Sequence, residues 1–171
     1  MATVLMIIAP ERFRDEELFV TQEELEKAGH KTVIASIAKG ICPGSRGGSA
    51  WATLSLAEIQ VKNFDAVVFV GGGGSKIYFA NSDVLRIAKE MYEKGKVTTA
   101  ICLAPVILAN AGVLKGKNAT VAGTEAKTIE SKGAKYTGPG VMVDGNIVTG
   151  NAPKSSRLFG QKIVELLKAR N

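Results

Sequence analysis

Four short, largely apolar runs rich in β-branched residues recur along the chain, three of them followed by a stretch with helical periodicity. This alternation constrains the fold more than any other feature. The runs are residues 3–9 (TVLMIIA), 31–36 (KTVIAS), 66–70 (AVVFV) and 97–101 (VTTAI). They lack the strict apolar–polar alternation of a sheet with one wet face, and continuous apolar runs are what strands buried on both faces require. After the first run, Asp15, Glu16 and Glu17 open a helix in which Leu18, Gln22 (through its aliphatic stem), Leu25 and Ala28 step by three and four, and Gly29 ends it. A second helix is predicted over residues 81–94, capped by Asn81 or Ser82, with Val84, Ala88 and Met91 on one face. A third follows over 105–111. Residues 40–49, rich in Gly, Pro and Ser, read as a loop or short hairpin. Residues 118–122 read as a strand, 124–132 as a helix, 141–148 as a hairpin on an Asp144-Gly145 turn, and 156–169 as a helix carrying Phe159, Ile163 and Leu166. The expectation is one α/β domain over residues 1–171: a doubly wound, flavodoxin-like, mostly parallel sheet with helices on both faces and a late antiparallel hairpin.

Composition removes several function classes. The net charge is +6, but the 22 Lys and Arg are scattered among 16 acidic residues, and no run of five or six like charges occurs. With only 6% aromatic residues, neither a phosphate-tracking stripe nor a base-stacking surface is expected, so no nucleic-acid partner is expected. No apolar stretch approaches the roughly 20 residues that span a bilayer. Met1-Ala2-Thr3 runs straight into the first apolar segment, so no secretory leader is expected. Two cysteines make no disulfide framework. These readings together predict a cytoplasmic protein with reduced thiols, and no membrane association. No metal-ligand spacing and no nucleotide motif is present, and no cofactor is expected.

In an open parallel sheet the carboxyl ends of the strands share one edge, and ligands bind there. The segments leaving that edge are residues 10–17, 71–75, 102–105 and 123–125. They gather an acidic cluster, a four-glycine run and a cysteine. Ala100-Ile101-Cys102-Leu103-Ala104 has the small-x-nucleophile-x-small form of a nucleophile elbow, with alanines where serine hydrolases carry glycines. Pro105 then starts a helix, which puts the sulfur near a helix N-terminus and favours its thiolate. A buried, inert thiol is the alternative for Cys102. The glycine run reads either as a flexible loop or as a source of backbone N–H groups for an oxyanion. The acidic cluster either offsets a helix dipole or supplies a carboxyl that shuttles a proton beside the sulfur. Cys42 lies in the Gly/Pro segment and reads as structural or incidental. His30, the only histidine, falls away from the predicted site edge.

These residues resemble the DJ/PfpI superfamily, which includes PfpI-type intracellular proteases, glyoxalase III-like enzymes and the parkinsonism-associated deglycase, on a class I glutamine amidotransferase-like fold. The resemblance runs over nearly the whole chain. Arg14-Asp15-Glu16-Glu17-Leu18, Glu26-Lys27-Ala28-Gly29-His30, Phe64-Asp65-Ala66 with the glycine run, and Ala100-Ile101-Cys102-Leu103-Ala104-Pro105 carry it most specifically. It implies Cys102 as nucleophile, Glu17 as the carboxyl contacting it, and Gly73 and Leu103 as backbone N–H donors to an oxyanion. It also implies a homo-oligomer, dimer or hexamer. One departure stands out. PfpI-type proteases carry a histidine directly after the cysteine, and the deglycase branch has one on a later loop. Here those places hold Leu103 and Val121-Ala122-Gly123.

Three activities therefore stay open. The first is chemistry on small reactive carbonyls, or on their adducts with proteins or peptides, through Cys102 and Glu17. The second is a PfpI-type cysteine peptidase or hydrolase, which would lack its histidine. The third is a non-enzymatic redox sensor or chaperone of oxidative stress.

Overall fold

The computed structural model describes residues 1–138 and 140–170. In chain order the elements are β1 (Thr3–Ile7), α1 (Asp15–Lys27), β2 (Lys31–Ser36), β3 (Gly40–Pro43), β4 (Ser49–Ala52), β5 (Leu54–Ser55), β6 (Ala66–Phe69), α2 (Ser82–Glu93), β7 (Val97–Ile101), α3 (Pro105–Asn110), β8 (Asn118–Ala119), α4 (Ala126–Ser131), β9 (Lys135–Tyr136), β10 (Val141–Asp144), β11 (Ile147–Gly150) and α5 (Ser156–Ala169). The central sheet runs β10-β11-β7-β6-β1-β2-β5. Every described pairing in it is parallel except β10 with β11. Its inner order, β2-β1-β6-β7-β11, is the doubly wound arrangement, with a topological switch point between β1 and β6.

Two apolar cores flank the sheet, and the strand residues divide between them by parity, as a period of two demands. Leu5, Ile7, Val67 and Phe69 pack toward α2, α3 and α4. Val4, Met6, Ile8 and Val68 pack toward α1, α5 and the β3–β4 hairpin. Burial on both faces is why these strands read as unbroken apolar runs.

Several local expectations change. On α1 the buried positions are Asp15, Glu17, Leu18, Thr21, Glu24 and Leu25, while Ala28 is exposed and Gln22 half-buried. The cause is α5: Gly160 comes so close that a side chain there would meet Glu24 Cβ at 2.9 Å, while Arg157 and Lys27 reach the Glu24 carboxylate. On α5 the buried third position is Leu167; Leu166 is half-buried. The strand expected over residues 118–122 shrinks to β8, which leaves the main sheet and pairs with β9 because β11 occupies the slot beside β7. The helix expected over 124–132 begins as a 3-10 turn, Gly123–Glu125, before α4. The late hairpin turns on Gly145-Asn146, since Asp144 still pairs with Ile147. Residues 40–49 do enter a hairpin, whose strands are β3 and β4.

Candidate active site

The elbow is real in its backbone. Cys102 has φ +64°, a conformation costly for a residue with a Cβ. Three hydrogen bonds hold it there. The Cys102 N–H donates to the Gly150 carbonyl (2.8 Å), the Cys102 carbonyl accepts from Ala122 N–H (2.7 Å), and Ala104 N–H donates to Ile101 O (3.1 Å). Ala100 and Ala104 are fully buried, so the small residues on either side sit in space that larger ones would overfill. The thiol itself is half-buried.

Glu17, in the first turn of α1, is fully buried, and its Oε1 accepts the Gly71 N–H at 2.8 Å. The side chain lies against the elbow, its Oε1 and the Cys102 Cβ both close over Gly71, and Oε2 has no hydrogen-bond partner among the described residues. Gly71 explains why this approach needs the first glycine of the run. A Cβ there would lie 2.5 Å from Glu17 Oε1, 2.6 Å from Ile101 O and 2.9 Å from Cys102 Cβ. No side chain fits between the carboxyl and the elbow.

The electrostatics overturn one expectation. Burial, opposed by the contact with Cys102 and the Gly71 N–H, pushes the Glu17 carboxyl up to about 8. Burial is also the first cause that pushes the Cys102 thiol up to about 12; the Glu17 charge and hydrogen bond add to it, and the N–H groups of Leu103 and Gly72 pull it down. The expected thiolate preference at a helix N-terminus is thus outweighed. That helix, α3, has only six residues. The carboxylate part of the rise presupposes an ionised Glu17. Below about 8 the carboxyl keeps its proton, adds no charge, and can donate its O–H to the sulfur.

Cys102 and Glu17 are therefore together. The backbone N–H groups of Leu103 and Gly72 favour the thiolate. Gly73 is the next residue, exposed, and its N–H donates to no acceptor among the described residues. Of the four segments expected at this edge, residues 123–125 contribute least: Glu125 accepts from the Thr128 hydroxyl, and the neighbouring Ala122 makes the contact to Cys102. Asp15 of the acidic cluster holds the hairpin turn, accepting the N–H groups of Arg46 (3.0 Å) and Gly48 (2.7 Å). His30 lies at the opposite end of β1, where its Nδ1 accepts the Ala2 N–H at 3.0 Å. Arg14 escaped the sequence reading as a site residue. It makes a forked contact with Glu16 and its charge reaches both Glu17 and Cys102.

Cys42, 2% exposed, packs in the core beneath the β3–β4 hairpin. Near pH 8, Cys102 should be alkylated by iodoacetamide at least about a hundredfold faster than Cys42, because accessibility gates the reaction at both thiols. Peptide mass spectrometry over a time course reads the two rates; equal labelling would show that the elbow does not present its sulfur.

Comparison with known proteins matches this architecture. An uncharacterised protein of Methanocaldococcus jannaschii is 42% identical over 99% of this chain and 84% of its own length. A protein named a deglycase from Thermococcus kodakarensis is 32% identical over 96% of this chain and 99% of that one. The crystal structure of a ThiJ/PfpI domain protein from Brachyspira murdochii superposes with a TM-score of 0.96 at 33% identity, covering 98% of this chain and 96% of that one. The profile of the DJ-1/PfpI family matches residues 2–166. With that match added to the doubly wound sheet, the chain belongs to the DJ-1/PfpI family.

Proposed function

We propose that the protein converts small 2-oxoaldehydes, and the hemithioacetal adducts they form on thiols, into 2-hydroxy acids, with Cys102 as nucleophile and Glu17 as proton carrier. The observation that carries this reading is a half-accessible cysteine on a strained elbow, packed against a buried carboxyl that keeps its proton at neutral pH. The deglycase names of relatives from Thermococcus kodakarensis and Pyrococcus furiosus support the substrate class.

The chemistry needs no cofactor. The Cys102 sulfur bonds to the aldehyde carbon and the thiol proton passes to the aldehyde oxygen, giving a hemithioacetal. The N–H groups of Leu103, Gly72 and Gly73 face the charge that develops during addition. Glu17, its own proton released to water, then takes the hydrogen of the former aldehyde carbon as a proton and passes it to the neighbouring ketone oxygen, giving an enediol. It next moves the hydroxyl proton of the former aldehyde carbon to the neighbouring carbon, and regains its own proton from water at the end of the cycle. One carbon is oxidised and its neighbour reduced by two electrons each, so no external oxidant or reductant enters. Water hydrolyses the resulting thioester, releasing the hydroxy acid and restoring the thiol. A hemithioacetal adduct on another thiol enters the same path: Cys102 forms its C–S bond, the original C–S bond breaks, and the departing thiol leaves with the proton.

Purified protein incubated with methylglyoxal should therefore form lactate, and Cys102→Ser should lower the rate at least about a thousandfold. Enzymatic assay of lactate decides it. No lactate from the wild type, or undiminished lactate from Cys102→Ser, would overturn the reading.

A further inference from the structure

A groove of about 530 Å³ lies between the first turns of α1 and the start of α5, one residue along α1 from Glu17, and is lined by Arg14, Lys154 and Arg157, with Glu16 as its one carboxylate and Val20 and Pro153 among its apolar wall. Three cations against one carboxylate leave the lining with a net charge of +2. Its connection to the site runs through the backbone and through Arg14. β11 ends at Gly150, whose carbonyl holds the Cys102 N–H, and the chain then turns directly into the Pro153 wall. Arg14 lines the groove and its charge acts on both Cys102 and Glu17.

The cations are not used up by their existing partners. Arg14 meets Glu16 through Nε and Nη2, so Nη1 has no acceptor among the described residues. Arg157 meets Glu23 and Glu24 through Nη1 alone, leaving Nε and Nη2 in the same condition. Lys154 forms no ion pair among the described residues. Glu24 is shared with Lys27, and the charge of Arg46 acts on Glu16, so the counter-charges are themselves partly met. Two guanidinium groups that line one space suit a planar or tetrahedral oxyanion.

We infer that this groove is a subsite for an anionic oxygen group on the substrate, so that the preferred substrates are 2-oxoaldehydes or adducts carrying a carboxylate or phosphate a few carbons from the reacting aldehyde. The inference rests on the proposed carbonyl chemistry for its substrate class, but the subsite can be tested without turnover. Iodoacetate is anionic and iodoacetamide is its neutral counterpart, so the ratio of their rates at Cys102 reports a cation-lined approach to the sulfur. Relative to free cysteine that ratio should be raised about tenfold at low salt. It should fall at least about threefold in Lys154→Ala and in Arg157→Gln, and further in Lys154→Glu. A ratio equal to that of free cysteine, or one that these variants do not move, would overturn the subsite.

Turnover supplies the second arm. The kcat/KM ratio of 4,5-dioxopentanoate to methylglyoxal should exceed about ten and drop in the same variants, and 3-phosphooxy-2-oxopropanal tests phosphate against carboxylate. Preference for neither anion over methylglyoxal would also overturn the subsite. If no 2-oxoaldehyde is turned over, the carbonyl reading fails, and the alkylation ratio still decides the subsite.

Discussion

Glu17→Gln is expected to raise the melting temperature by about 6–12 °C at pH 8.5 while abolishing lactate formation. In the unfolded chain a glutamate ionises near 4.5, whereas in the fold Glu17 holds its proton up to about 8. A carboxyl raised in this way supports folding fully below about 4.5 and loses that support as pH climbs through 8. The full difference is at most about 5 kcal/mol. Glutamine does not titrate, keeps an oxygen for the Gly71 N–H, and escapes the penalty. Its buried amide leaves a donor poorly satisfied, at about 1–2 kcal/mol, so the net gain at pH 8.5 is about 3 kcal/mol. For a chain of this size that corresponds to the stated shift. At pH 4.5–5 the advantage should vanish or reverse, because the unfolded glutamate is then only partly ionised and the remaining penalty is no larger than the cost of the buried amide. Circular dichroism melts at the two pH values read this directly. Parallel melting curves for the two proteins would show that Glu17 is ionised in the fold and cannot carry the proposed proton.

The same carboxyl marks the limit of what the sequence disclosed. The strands were legible because burial on both faces leaves a local trace: residues 31–36 and 97–101 coincide with β2 and β7 to the residue. The elbow was legible for a similar reason, since the two alanines, the cysteine and the proline fall within six positions. The electrostatics of the thiol were not. They depend on the carboxyl brought from α1 to Gly71, 54 positions away, and on how much water the two cores exclude. Four consecutive glycines likewise carry no mark of which N–H reaches the sulfur; only the turn after β6 selects Gly72. The polar buried face of α1 was hidden because periodicity sees Thr21 and Glu24 as surface residues. Their burial follows from an α5 glycine and an α5 arginine more than 130 positions on.

Cleavage of casein or of fluorogenic peptides by Cys102 should be at least about a thousandfold slower than lactate formation by the same preparation. Amide hydrolysis asks for two things from a cysteine site: a base that makes the thiolate near neutral pH, and an acid that protonates the departing amine. Histidine serves both, and a positioned general acid or base is worth about 10²–10⁴ in rate. Here the residue after the nucleophile is Leu103, and the later loop reads Val121-Ala122-Gly123. The only histidine is bonded to the Ala2 N–H at the far end of β1. The thiol is pushed up to about 12 by burial and by the charge of Glu17, so the neighbour that could act as its base makes the thiolate harder to reach once ionised. An aldehyde tolerates these terms. Addition to it expels no amine, and a single carboxyl can move the protons between the adjacent carbons and their oxygens. The measurement is release of fluorescent amine beside lactate, in the wild type and in Cys102→Ser. Peptide cleavage that rivals lactate formation and disappears in Cys102→Ser would contradict the expectation, and would require a base contributed by a second copy of the chain.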